Sequence, residues 1–199
     1  MPDLQDQLAI SALMQDWALA RDTGDWDALR ATAHPGAAMT TTWFDGRFED
    51  FVESCETSFG RGSRSQHFLG GTVAEIKGAR AIAQTRMSIN VRSRLDGVEV
   101  DAVCLGRFFD RVERREGAWR IAKRSVIYEK DRIDPVDPGA AISLDPALLG
   151  RFPEGYRHLA YLQTRVGYQV KPDMPGIEGA ELDALYARGA RWLNGKPLL

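Results

Sequence analysis

The chain has 199 residues, 44% hydrophobic and 27% charged, with a formal net charge of −2. It is long enough for one cored domain plus an appendage. Without a basic run it offers no footprint for nucleic acid or an anionic membrane surface, and no apolar run approaches the roughly 20 residues of a membrane-spanning helix.

The first element is a helix over residues 3–21, where Ile10, Leu13, Met14, Trp17 and Arg21 recur at spacings of three and four and form one buried face. It ends near Thr23-Gly24, so Asp22 stands at its exit. Asp25 is positioned to cap a second helix over 26–33, which Pro35-Gly36 stops, with His34 as a helix-ending residue. A threonine-rich strand is predicted over 39–44. Asp45-Gly46 then turns the chain into a third helix, where Phe48, Phe51, Val52, Cys55 and Phe59 keep helical period.

From Gln66 the apolar period becomes two. Strands are predicted at 66–77, 80–94, 98–115 and 118–130, with Leu95-Asp96-Gly97 and Arg115-Glu116-Gly117 as hairpin turns. Alternation puts Val100, Ala102, Cys104, Gly106 and Phe108 on one face, and Arg124, Val126 and Tyr128 on one face of the last strand. Helices on a curved antiparallel sheet make an α+β cone with a hollow between the layers. Residues 132–199 form a helical extension, with helices at about 156–168 and 180–194. The last has too little apolar surface to stand alone, so it docks either on its own body or on a neighbouring subunit.

The apolar wall of the hollow is expected from Met14, Trp17, Phe68, Met87, Ile89, Cys104 and Phe108, with the small side chains at 102, 104 and 106 leaving room for a ring-shaped ligand. Arg124 either faces developing negative charge on a substrate or salt-bridges Asp22, because a buried arginine is rare unless paired. Tyr128 either donates a hydrogen bond to a substrate oxygen or serves as aromatic lining. Three histidines, His34, His67 and His158, lack the short spacings of zinc or iron sites, so no metal and no other cofactor is expected. Cys55 and Cys104 sit in apolar stretches, and Met1-Pro2-Asp3-Leu4 lacks the layout of a signal peptide, which points to a cytoplasmic chain with reduced thiols.

Asp22, the Asp-Trp-Asp-Ala-Leu of residues 25–29, His34-Pro35-Gly36-Ala37, His67 at a strand opening, and Gly117-Ala118-Trp119-Arg120-Ile121 followed by Lys123-Arg124 resemble SnoaL-like members of the nuclear transport factor two-like superfamily. The resemblance covers about residues 5–131. It implies a cone, often trimeric, and a fold shared by dehydratases, a dehydrochlorinase, isomerases, polyketide cyclases and non-catalytic dioxygenase subunits. It also implies that His67 is a catalytic base, Asp22 its dyad partner and Arg124 a catalytic arginine. Trp17 departs from the pattern, since related enzymes carry lysine or tyrosine there. The resulting expectation is a cofactor-independent lyase, of dehydratase, dehydrohalogenase or deformylating carbon–carbon lyase type, acting on a hydrophobic cyclic or aromatic molecule. The alternatives are an isomerase or cyclase using the same base, or a non-catalytic binding subunit.

Overall fold

The computed structural model describes residues 4–196; Asp3, the predicted start of the first helix, lies outside them. The elements are α1 (Leu4–Thr23), α2 (Trp26–Ala31), β1 (Ala33–Thr41), β2 (Phe44–Arg47), α3 (Phe48–Gly60), β3 (Ser65–Lys77), β4 (Arg80–Leu95), β5 (Val98–Arg115), β6 (Ala118–Pro135), α4 (Pro146–Leu149), α5 (Arg157–Arg165) and α6 (Ala180–Leu193). One sheet holds all six strands in the order β2-β1-β6-β5-β4-β3. Among the described residues, β1 and β6 pair in parallel and the other neighbours pair antiparallel.

The two long hairpins turn as expected. Asp96 and Gly97 have φ of 50° and 88°, and Glu116 and Gly117 have 52° and 82°. Two successive left-handed residues match the right-handed twist of the flanking strands.

The start of the sheet differs from the sequence-based expectation. α2 stops at Ala31, and His34 lies inside β1, where its Nε2 is 2.9 Å from the Glu113 carbonyl oxygen. Pro35-Gly36 does not stop a helix. It falls in the register break between Ala33 and Ala38, where a residue without an N–H costs the ladder nothing. Asp45-Gly46 is likewise not a turn but part of β2. Thr41 pairs with Phe44, leaving Thr42-Trp43 as the connection, and Thr40 Oγ1 donates to Asp45 Oδ1 across the pair at 2.9 Å.

The inner sheet face carries the main core. Met14 and Trp17 of α1 and Phe51, Val52 and Cys55 of α3 pack against Met87, Phe108, Val126 and Tyr128. Further along the same face, Val100 and Ala102 meet Tyr161 and Leu162 of α5. α1 and α5 therefore stand on one concave surface with space between them. Asp131 fixes α5 there. Its Oδ2 accepts from the N–H groups of His158 and Leu159, at 2.6 and 2.7 Å, and its Oδ1 lies 2.8 Å from His158 Nδ1.

The small residues of β5 serve this packing and do not make room for a ligand. A Cβ on Gly106 would stand 2.1 Å from the Ile127 carbonyl oxygen, and the Cys104 thiol reaches the Gly155 carbonyl at 3.6 Å.

The outer face is covered by α6 of the same chain. Leu182, Leu185, Trp192 and Leu193 pack on Ile82, Phe109 and Ile127. The contact is close at Gly189, where an added Cβ would lie 2.6 Å from the Phe109 ring. Gly189→Ala is expected to destabilise the protein by about 1–3 kcal/mol, the usual cost of overpacking, measured by urea denaturation. A variant as stable as wild type would mean that α6 does not dock as described.

Candidate active site

The cavity between α1, α3, α5 and the concave sheet face has a volume of about 750 Å³. That is the size of a site for a multi-ring small molecule.

Two elements place the histidine in its wall. β3 opens beside the exit of α1, and Asp22 joins them with both carboxylate oxygens. Oδ2 accepts from the His67 backbone N–H at 2.5 Å, and Oδ1 lies 2.6 Å from His67 Nδ1. The backbone bond fixes where the strand begins, and the side-chain bond fixes the ring. His67 lines the cavity, and with Nδ1 held by Asp22 its Nε2 is the nitrogen left for a substrate. Trp17 meets the imidazole edge-on, with ring centroids 5.4 Å apart. Burial pulls the His67 pKa below its ordinary 6.5, Asp22 pushes it back up, and the positive charges of Arg21 and Arg124 pull it down again. The net effect is a neutral imidazole at neutral pH.

Of the expected wall, Trp17, Ile89 and Phe108 line the cavity together with His67 and Tyr128. The remainder is corrected. Phe68 is 72% exposed, because its neighbour His67 points inward and side chains alternate along a strand. Met14, Met87 and Cys104 are buried in the core behind the wall and do not line it. Asp22 also stands behind the wall, in contact with the back of the imidazole.

Arg124 faces inward on β6 as expected, but it neither lines the cavity nor pairs with Asp22. Its Nε and Nη2 donate to the two oxygens of Asp110 at 2.7 and 2.9 Å, and both side chains are fully buried. The guanidinium lies 4.2 Å from the Trp17 ring centroid and 4.0 Å from that of Phe108. Its Nη2 also reaches the Met14 sulfur, while Nη1 is buried without a partner. The ion pair thus braces the two aromatic rings that flank the imidazole. Burial raises the Asp110 pKa and Arg124 opposes the shift.

The Tyr128 hydroxyl accepts from the Thr42 N–H at 3.3 Å and sits 3.0 Å from Thr41 Oγ1. Burial pushes its pKa well above the usual 10, so it keeps its proton.

Several lining residues escaped sequence reasoning. Leu159, Leu162, Gln163 and Tyr168 come from the extension, and no periodicity could reveal which face of the cone they cap. Arg21 and Ser65 had a local signal, each sharing a face with a recognised residue: Arg21 follows Trp17 by four on α1, and Ser65 precedes His67 by two on β3. Asp110 was legible in the same way, as the next inward position after Phe108. Among the described residues, no group of three His, Cys, Asp or Glu side chains is arranged to hold a metal ion.

A curved, mainly antiparallel sheet packed by helices around a ligand-sized hollow is the fold of the nuclear transport factor two-like superfamily. The chain belongs to the SnoaL-like domain family, which it matches over residues 2–125. It is 31% identical to pea pathogenicity protein 2 of Fusarium vanettenii over 97% of this chain and 88% of that protein. Its fold is similar to that of a putative scytalone dehydratase from Novosphingobium aromaticivorans, with TM-score 0.54 and 16% identity over 70% of this chain and 97% of that one. It is also similar to a hexachlorocyclohexane dehydrochlorinase (LinA), with TM-score 0.56 and 14% identity over 72% and 95%.

Breaking the buried pair by Asp110→Asn is expected to cost about 3–5 kcal/mol, because it strands a desolvated guanidinium. The double variant Asp110→Leu with Arg124→Met is expected to lose less than either single change when unfolded in urea. Additive losses would mean that the two groups do not act as a pair.

Proposed function

We propose that the protein is a cofactor-independent lyase in which His67 removes a proton from a hydrophobic cyclic or aromatic small molecule. The observation that carries this reading is the 2.6 Å contact between Asp22 and His67 Nδ1, made in the wall of a large cavity where Trp17, Ile89 and Phe108 lie beside the imidazole.

The roles follow from that contact. Asp22 holds the tautomer with its proton on Nδ1, which leaves the Nε2 lone pair for the substrate, and it stabilises the imidazolium once Nε2 has taken the proton. The electron pair released from the broken C–H bond forms a double bond as an adjacent group departs with its own pair. The imidazolium can then return its proton to a departing oxygen. Tyr128 keeps its proton, so its hydroxyl can donate either to Thr41 Oγ1 or to a substrate oxygen. Arg124 is a positioning residue: it holds Trp17 and Phe108 in place, and its charge favours the neutral base. The likeness to a dehydratase and a dehydrochlorinase supports the fold of such an enzyme, while the aspartate–histidine geometry supports the reaction class.

The experiment is a screen of cyclic and aromatic alcohols and halides for the absorbance change that accompanies elimination. On a substrate so found, His67→Ala is expected to lower kcat/KM at least a thousandfold and Asp22→Asn by about 10²–10⁴-fold, with the fold checked by circular dichroism. A fully active His67→Ala variant would remove the base from the mechanism.

The pH dependence has a definite sign. The folded pKa of His67 is lowered, so the neutral base persists as pH falls through 6.5, and the acid limb of kcat/KM is expected below that value. An acid limb above 6.5 would contradict this electrostatic account.

A further inference from the structure

The wall on the mouth side of His67 carries hydrogen-bond donors that no protein group satisfies. Trp17 is 1% exposed and lines the cavity, yet its Nε1 is buried without a partner, as is the Ser65 hydroxyl. Half-buried Arg21 lines the same cavity, and among the described residues it has no carboxylate within ion-pair distance. Its side-chain contact is the Cys55 thiol, which burial pushes up to about 11 and which therefore stays neutral.

The three belong together by position. Trp17 and Arg21 are four residues apart on α1 and share a face. Ser65 and His67 are two apart on β3 and share a face. α1 runs antiparallel to β3, since Gln7 bonds to the Ala74 carbonyl at one end and Asp22 to the His67 N–H at the other. Arg21 is thus level with the Ser65–His67 end of the strand. Nearer the mouth, Arg61 and Arg94 outnumber Glu99, while Arg92 is neutralised by Asp101. Apolar rings surround His67, and positive charge lies outside it.

We propose that Arg21, Ser65 and Trp17 form an anion subsite, and that the substrate is an amphipathic ring carboxylate. Its carboxylate docks on Arg21 and Ser65, while its ring lies in the hollow against the Trp17–Phe108 pair, whose own rings meet edge to face at 5.2 Å, beside the base. This deepens the lyase reading and rests on it for the word substrate. The subsite itself makes a claim about binding alone. An uncharged ring leaves Arg21 without a counter-charge and the buried Ser65 hydroxyl without a charged acceptor, so it binds more weakly than the acid of the same shape.

The test is calorimetric titration of the full chain at pH 8 with 1-naphthoate and with 1-naphthamide, a neutral probe of nearly identical shape. The wild type is expected to prefer the acid at least tenfold. Arg21→Gln should bring the two within twofold, Arg21→Lys should retain part of the preference, and Ser65→Ala should weaken naphthoate alone by two- to fivefold. Equal affinities in the wild type, no naphthoate binding up to millimolar concentration, or an intact preference in Arg21→Gln overturns the subsite. Circular dichroism of each variant excludes loss of fold as the cause. Because the readout is binding, an error in the assignment of His67 as base does not register in it, and a failed preference leaves that assignment standing.

Discussion

Asp22 makes two short hydrogen bonds to a single residue 45 positions away, and the rest of the site takes its shape from them. One reaches the backbone and sets where β3 begins relative to the end of α1. The other reaches the imidazole and settles which ring nitrogen is left for the cavity. A carboxylate with both oxygens engaged cannot drift, so helix, strand and ring are located together. The same pattern recurs between Asp131 and His158, where it anchors α5 to the end of β6. There the imidazole does not line the cavity, and the carboxylate takes the Leu159 N–H as well, so the contact holds a helix.

The hollow persists because strong interactions stand around it and not within it. The fully buried Arg124–Asp110 pair braces Trp17 and Phe108 from behind, and α5 caps the far half of the concave face. Close backbone approaches at Gly106 and Gly155 draw β6 and the extension against the sheet, so apparent spare volume along β5 is already occupied. α6 seals the opposite face.

Much of this was legible in the amino-acid order. The two Gly-containing hairpins, the exit of α1 at Asp22 and the inward face of β6 follow from periodicity and turn chemistry, which are local. The first strand pair was misread because Pro35-Gly36 and Asp45-Gly46 are strong local punctuation. Pairing with β6 absorbs the first as a bulge, and cross-strand pairing with Thr40 holds the second inside a strand. Arg124 was correctly turned inward, but its partner could not be chosen from the sequence. Asp22 and Asp110 were both available, and only the β5–β6 register puts Asp110 opposite Arg124. The residues contributed by the extension were beyond reach for the same reason, since no local rule says where a short helix lands on a curved sheet.

The central claim is that His67 presents an unprotonated Nε2 to the cavity at neutral pH, held there by Asp22. Nuclear magnetic resonance of protein labelled with ¹⁵N at histidine, titrated from pH 8 to pH 5, reads this directly. The account predicts that His67 carries its proton on Nδ1 at pH 7.5, with Nε2 bare, and gains a second proton only below 6.5. A proton on Nε2 at pH 7.5, or an imidazolium already formed at pH 7, would contradict it.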